Sequence, residues 1–359
     1  MIRTNHVLML LPLVLTACAG AAALSARMRA PEPAEAYSRR LSTIMDGWEA
    51  AGGSPVKRPP LPGTSGDAVV SAAWWGFDPA DATAALQTAI DSGAHTVVVP
   101  RMARPWTVSR TIDLRRGGVE LLLEPGVVLL AASGAFRETG EALIKSEGGK
   151  DFSILGYGAT IRMRKRDYQS SPYKAGEWRH AINLRGVSNV RIAGLSIESS
   201  GGDGIYVGTR NHVPCEDVLL EDLDITDNHR QGISVISARR LAIRDCVISG
   251  TSGTSPGAGI DFEPNSGDPG FQDCLVSGCR IEGNAGGGIL FVLRNLHAGN
   301  EPVSITVQDS DVRNFPVSLF LAGLDRGLSG SITIRDCSFG GIAWVKGSAD
   351  FSVRFEKTR

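Results

Sequence analysis

The sequence predicts an all-β fold: a single right-handed parallel β-helix, a solenoid, closed at its N-terminal end by a capping helix. Eight-residue segments with apolar residues at alternate positions recur at Phe152–Ala159, Val190–Ile197, Val218–Ile225, Leu241–Ile248, Cys274–Ile281, Ile305–Val312 and Ile332–Phe339. Successive starts lie 38, 28, 23, 33, 31 and 27 residues apart, close to one coil each. The extra length of the first interval falls around Arg162–Trp178 as a loop insertion. A second strand follows in the same phase, at Ala181–Leu184, Gly204–Val207, Gly232–Val235, Gly259–Phe262 and Gly288–Phe291. There an isoleucine column and a Leu/Val/Phe column alternate with a variable one, as in a half-buried strand. Two strands in about 28 residues leave no room for the crossover helix of a βαβ unit. The 43 glycines and 6% aromatic residues suit a chain of many turns.

From the N-terminus, Arg3 and His6 precede the apolar run Val7–Leu15, which is too short to span a bilayer as a helix. Residues 1–17 are therefore expected to be a signal peptide. Leu15-Thr16-Ala17-Cys18 resembles the bacterial lipobox. That resemblance implies cleavage before Cys18 and lipidation of Cys18. With Ala19 rather than Asp next, it also implies anchoring at the outer membrane, facing the periplasm or surface. Residues 18–66 are expected to be a tether, with Pro31-Glu32-Pro33, a short helix around Ala34–Ala50 and the Pro/Gly-rich stretch Gly52–Gly66.

Residues 67–115 are expected to hold the cap and the first strands. Ala84, Ala85, Leu86, Ala89 and Ile90 form the apolar face of a helix over Asp81–Ser92, capped by Asp81 or Thr83 and ended by Gly93. Thr96–Val99 is the first strand, and the helix covers the sheet edge that a solenoid otherwise leaves open. Residues 116–359 form the β-helix proper. Asn228, Asn284 and Asn314 share a turn column, as directly stacked coils favour. Cys246, Cys279 and Cys337 take the place filled by Leu195 and Leu223 in other coils, an inward core column. An oxidising compartment leaves a bridge between Cys246 and Cys279 open. Cys215 and Cys274 begin their segments without an obvious partner, and no CxxC spacing offers a metal cluster.

The stretch Phe77-Asp78-Pro79-Ala80-Asp81-Ala82-Thr83-Ala84-Ala85-Leu86-Gln87, continued by Val97-Val98-Val99-Pro100, resembles the opening segment of the pectate-lyase-like superfamily. That group includes polygalacturonase-type hydrolases, lyases and phage tailspike enzymes. The resemblance covers about Gly66 to Arg359 and implies the right-handed β-helix and a polysaccharide partner. Gly201-Gly202-Asp203-Gly204-Ile205 loosely resembles the Asp-containing turn of the polygalacturonase type. The doubled Asp, Gly-His-Gly and Arg-Ile-Lys of those enzymes are missing, as is the Asp-Pro-His of the β-helix epimerases, so neither catalytic scheme transfers whole.

Candidate chemistry lies on the outward positions of the second strand. One column reads Asn183, Tyr206, Ser234, Asp261 and Leu290; the next reads Arg185, Gly208, Ile236, Glu263 and Val292. A third, just before the strand, reads His180, Asp203, Gln231, Ala258 and Gly287, and Arg179 and Arg230 share the position before that. Asp261 and Glu263, two residues apart on a strand, face one side about 7 Å apart at the backbone. With Asp203 they are the candidate catalytic residues, since carboxylates at such separations flank a glycosidic bond. Arg230, His229, Gln231, Tyr206, His180 and Asn183 are the candidate substrate-binding residues. Arg230 is suited to grip a uronate or sulfate bidentately, while Trp178 and Tyr206 offer rings for a sugar. Arg166, Tyr168 and Tyr173 of the inserted loop are placed to overhang the groove.

The leading expectation is glycoside hydrolysis of a polysaccharide without a cofactor. The alternatives are a polysaccharide lyase or epimerase acting on a uronate polymer, for which carboxylates would hold Ca²⁺, and a non-catalytic binding solenoid. The net charge of -1 gives no case for nucleic acid. A monomer is expected, with the lipid at Cys18 as its membrane contact.

Overall fold

The computed structural model describes residues 33–58, 69–344 and 350–358. The expected signal peptide and the lipidation site Cys18 lie outside the described residues, as does the tether–cap boundary at residues 66 and 67. From Pro33 onward the chain forms one compact unit. Its architecture is a parallel β-helix. Among the described residues, nine strands, from Ile112–Asp113 to Ile342–Trp344, stack in order as one parallel sheet, and nineteen others line the remaining flanks.

Alternation drives the stacking. Ile182, Ile205, Ile233, Ile260, Ile289 and Leu319 lie in one register column and Leu184, Val207, Val235, Phe262, Phe291 and Leu321 in another. All are fully buried in a single core that runs the length of the solenoid. At about 25 cal/mol per Å² of apolar surface removed from water, such columns dominate the stabilisation. Asn284 and Asn314 join the coils at a turn: Asn314 accepts the Asn284 N–H through Oδ1 at 2.8 Å and donates to the Asn284 carbonyl at 2.7 Å. Asn228 and Asn284 likewise accept the N–H groups of Ser200 and Thr251.

The capping helix (α2, Thr83–Asp91) sits close to where the sequence places it, and its Leu86, Ala89 and Ile90 enter the common core. Asp81 Oδ1 accepts the Thr83 N–H at 3.0 Å, and Gly93 leaves the helix at φ +96°. One more strand than expected, Val69–Ser71, stacks on Thr96–Val99.

Two features differ from the sequence reading. The helix Ala34–Ala50 (α1) forms but does not hang in a tether. Its Tyr37, Leu41 and Trp48 pack on the outward column Val98, Leu122, Leu155 and Ala193. The eight-residue segments also bend. From the coil of Val218 onward each is two short strands separated by a left-handed residue: Asp222, Asp245, Gly278, Asp309 or Asp336, with φ between 50° and 66°. Asp and Gly are residues that tolerate this conformation. The next position, Leu223, Cys246, Cys279, Ser310 and Cys337, is buried, as is Leu195 after Gly194, and the five described cysteines are all buried and free.

Candidate active site

Strand register settles the outward columns. Asn183, Tyr206, Ser234, Asp261 and Leu290 are aligned partners, as are Arg185 and Gly208. The register shift in the neighbouring flank falls between Ala193 and Leu195 and leaves these columns in phase. The face is not the open, solvated surface that alternation suggests. Asp203, His180, Asn183, Gln231, Ser234 and Asp261 are each no more than 2% exposed.

Arg230 is the centre of the cluster. Its Nε lies 3.4 Å from Glu177, one terminal nitrogen 3.7 Å from Asp203 and the other 3.7 Å from Glu263. Asp203 and Glu263 thus sit at the two tips of one guanidinium, at most about 10 Å apart, with Glu177 on its Nε. Glu177, 24% exposed, and Glu263, 40% exposed, are the accessible carboxylates, whereas Asp203 and Asp261 form the floor. Glu177 reaches the cluster because Gly202 allows the loop close. A Cβ at Gly202 would stand 2.6 Å from the Glu177 carbonyl oxygen.

The floor is organised around protons. Asp203 donates its backbone N–H to His180 Nδ1 at 3.1 Å, so that ring nitrogen is unprotonated. The Asp203 carboxyl oxygen 3.2 Å from the same nitrogen then makes a favourable contact only when it carries a proton. Burial pushes Asp203 up to about 7, against the opposing pull of Arg230, and pushes His180 down to about 3. Asp261 is also raised well above its ordinary value by burial, then by the charge of the nearby Glu263 carboxylate. Gln231 fixes Asp261 from below: its amide donates at 2.8 Å while its carbonyl oxygen accepts the Ala258 N–H.

Several expected binding residues have other work. His229 turns away from the carboxylates to Thr254, 2.9 Å from Nε2, and Gln169, 3.3 Å from Nδ1. Tyr206 offers no free ring, being sandwiched between His180 at 4.8 Å and Arg185 at 4.7 Å. Asn183 accepts from Arg185. The guanidinium of Arg230 is already shared by carboxylates, so it is not open to a uronate or sulfate. Tyr168 does not overhang the groove; it is buried against Tyr173 and under the guanidinium of Arg179. The Tyr173 hydroxyl accepts the N–H of Gly134, from the loop after the strand Val128–Ala131. Arg166 remains exposed on the loop surface.

Glu177 is the functional residue that column reasoning did not select, because it lies on the inserted loop, outside the repeat. Its position beside Trp178, Arg179 and His180 was the available signal. Among the described residues no group of three or more His, Cys, Asp or Glu side chains is arranged to hold a metal ion. Amid the four carboxylates the cation position is taken by Arg230.

Comparison with known proteins agrees with this architecture. A curated relative, the uncharacterized protein YclG of Bacillus subtilis (strain 168), is 24% identical over 200 residues, which is 50% of this chain but only 34% of the relative. Among solved structures, a 1,3-alpha-1,4-beta-D-galactose-4-sulfate-3,6-anhydro-D-galactose-2-sulfate 4 galactohydrolase superposes with a TM-score of 0.58 at 13% identity, covering 83% of this chain and 89% of the other. The polygalacturonase of Erwinia carotovora ssp. carotovora gives 0.54 at 13% identity, covering 81% and 91%. Residues 174–354 match the family described as right handed beta helix region. With half its length in that match and its coils stacked as described, the chain belongs to the right-handed β-helix family.

Proposed function

We propose that this protein is a glycoside hydrolase acting on a polysaccharide laid across the nine-stranded sheet. One observation carries the reading: buried and accessible carboxylates are gathered around a single arginine. A hydrolase needs one carboxyl protonated near neutral pH to meet the leaving oxygen and a second ionised to activate water or attack. Glu263, the more exposed carboxyl, takes the acid role. Glu177, beside the Nε of the same Arg230, is the base or nucleophile. Asp203 and His180 lie beneath and hold Arg230 in place, so Asp203 is a positioning residue rather than a direct acid. Hydrolysis by two of the structural neighbours named above is in keeping with this reading.

Elimination is less well served by the geometry. A lyase needs a base beside a uronate, but Arg230 is raised further from deprotonation by its carboxylates and His229 faces elsewhere. We also propose that the protein is a metal-independent monomer, held at the outer membrane through lipidated Cys18. Cys18→Ser is then expected to move it from the membrane to the soluble fraction.

The test is a polysaccharide panel read for new reducing ends and for unsaturated ends, with and without chelator. New reducing ends, indifferent to chelator, are expected. Asp261→Asn, Glu263→Gln and Glu177→Gln should each lower kcat by about 10²–10⁴-fold. Unsaturated products, or full turnover in all three variants, would overturn the assignment.

A further inference from the structure

The strand Lys150–Arg162 runs straight into the inserted loop, and basic residues crowd that junction: Arg162, Arg164, Lys165 and Arg166. Alternation buries Met163 in the core and leaves Arg162 and Arg164 on the outer side. The junction is held as a continuation of the strand. The N–H groups of Met163 and Lys165 donate to the carbonyls of Glu198 at 3.1 Å and Ser199 at 2.8 Å in the next coil. These basic residues line a cavity of about 420 Å³, together with Leu130 of the coil before and Ser199 and Asp227 of the two coils after.

Charge in the cavity is unbalanced. Its walls carry those four cations against two carboxylates, Asp167 and Asp227. Asp227 is already satisfied within the protein, with Lys165 donating to one oxygen at 2.7 Å and Ser199 to the other at 2.9 Å. Arg162 turns its Nε to Glu198, which is not part of the walls. Arg164 spends its Nε on the Ala131 carbonyl at 2.6 Å and meets Asp167 only at 3.9 Å, where a half-exposed pair contributes little. Arg166 is exposed and has no carboxylate partner among the described residues. A neutral sugar gains nothing from this surplus. A carboxylate or sulfate accepts charge-assisted, bidentate hydrogen bonds from guanidinium groups.

The cavity and the carboxylate cluster are separate sites linked through His229. Gln169 of the loop donates to the Lys165 carbonyl at 3.1 Å and lies 3.3 Å from His229 Nδ1. The residue after His229 is Arg230, the centre of the cluster. Burial, and then the charge of Lys165, hold the His229 imidazole below its ordinary value, so the link is neutral. An acidic group finds no seat at Arg230, which Glu177, Asp203 and Glu263 share, and finds one in the cavity.

We infer that the Arg162–Arg166 cavity is a subsite for an anionic substituent, a carboxylate or sulfate, on a sugar unit away from the bond to be cleaved. The inference rests on the carbohydrate reading above and gives it a substrate class, an acidic polysaccharide.

The test is binding of the full chain to neutral hexose, uronate and sulfated galactan oligomers, with thermal melts to confirm folding. Wild type is compared with Arg166→Gln and with Asp227→Asn, whose side chain suits the left-handed backbone of that position, φ 52°. The expected result is preference for an acidic oligomer, bound about tenfold more weakly by Arg166→Gln and more tightly by Asp227→Asn, with the differences shrinking as salt rises. On a cleaved acidic polymer, Arg166→Gln should raise KM more than it lowers kcat. Preference for neutral oligomers, undiminished acidic binding by Arg166→Gln, or no binding to any oligomer overturns the inference. Arg166-dependent binding without new reducing ends would sink the hydrolase reading alone. New reducing ends with binding indifferent to Arg166 would sink the subsite alone.

Discussion

Asp203 and His180 meet in a contact whose protonation is dictated by a backbone bond. The Asp203 N–H occupies His180 Nδ1, so the proton between side chains has to sit on the carboxyl. Burial raises this carboxyl from its ordinary 3.8 to about 7, against the pull of Arg230. The native state then holds a proton that the unfolded chain has released, so between about pH 4 and 7 this group makes stability fall as pH rises. Its contribution is complete below the lower value and gone above the upper one. The expected slope is about 1.4 kcal/mol per pH unit for the one proton. Urea unfolding at pH 4.5, 5.5 and 6.5 should show wild type losing stability relative to Asp203→Asn by that amount per unit; parallel curves would mean that Asp203 is ionised throughout. Asp203, Asp261 and Glu263 were legible in the sequence as one cluster because strand alternation fixes which side each takes. The role of Arg230 was not. What a guanidinium touches depends on the inserted loop, and a repeat pattern contains no information on where Glu177 folds back.

At the scale of elements, the helix Ala34–Ala50 shows where a readable pattern stops short. Its helical character was visible, but its docking depends on a column that runs across coils: Val98, Leu122, Leu155 and Ala193. In the next coil that column becomes Glu221, paired with Arg191. The outward face is thus apolar only where the helix covers it. Tyr37 pins the contact, its hydroxyl donating to the carbonyls of Leu123 at 2.7 Å and Leu155 at 2.9 Å. Tyr37→Phe should cost about 1 kcal/mol, the net worth of such a buried bond, measured as a shift in denaturant midpoint with unchanged slope. The cysteine column was legible for the opposite reason. Alternation alone places Cys246, Cys279 and Cys337 inward, and burial raises the thiol of Cys337. The buried thiols should resist an aromatic disulfide reagent in the native protein and react once it unfolds.

Across the whole molecule each coil touches chiefly its neighbours, so damage at one end should stay there. In a solenoid, stability is close to a sum of coil and interface contributions, and a lost cap opens the adjoining coils first. The first coils depend on α1 and α2 for the faces they cannot bury alone. The site coils, from Ile182 to Phe262, are flanked on both sides by complete coils and locked by the Asn284–Asn314 pair beyond them. Leu41→Asp places a charge where a 4%-exposed leucine meets the outward column, and an unpaired charge there is expected to undock the helix. Hydrogen exchange should then show lost protection at Val98, Leu122 and Leu155, with the amides of Ile205, Ile233 and Ile260 exchanging as slowly as in wild type. Uniform loss across both sets would mean that the solenoid opens as a single cooperative body. In that case the carboxylate cluster depends on the N-terminal helix for its shape. Retained site protection would instead mean that the coils from Ile182 onward hold Glu177, Arg230 and Glu263 in register by their own stacking.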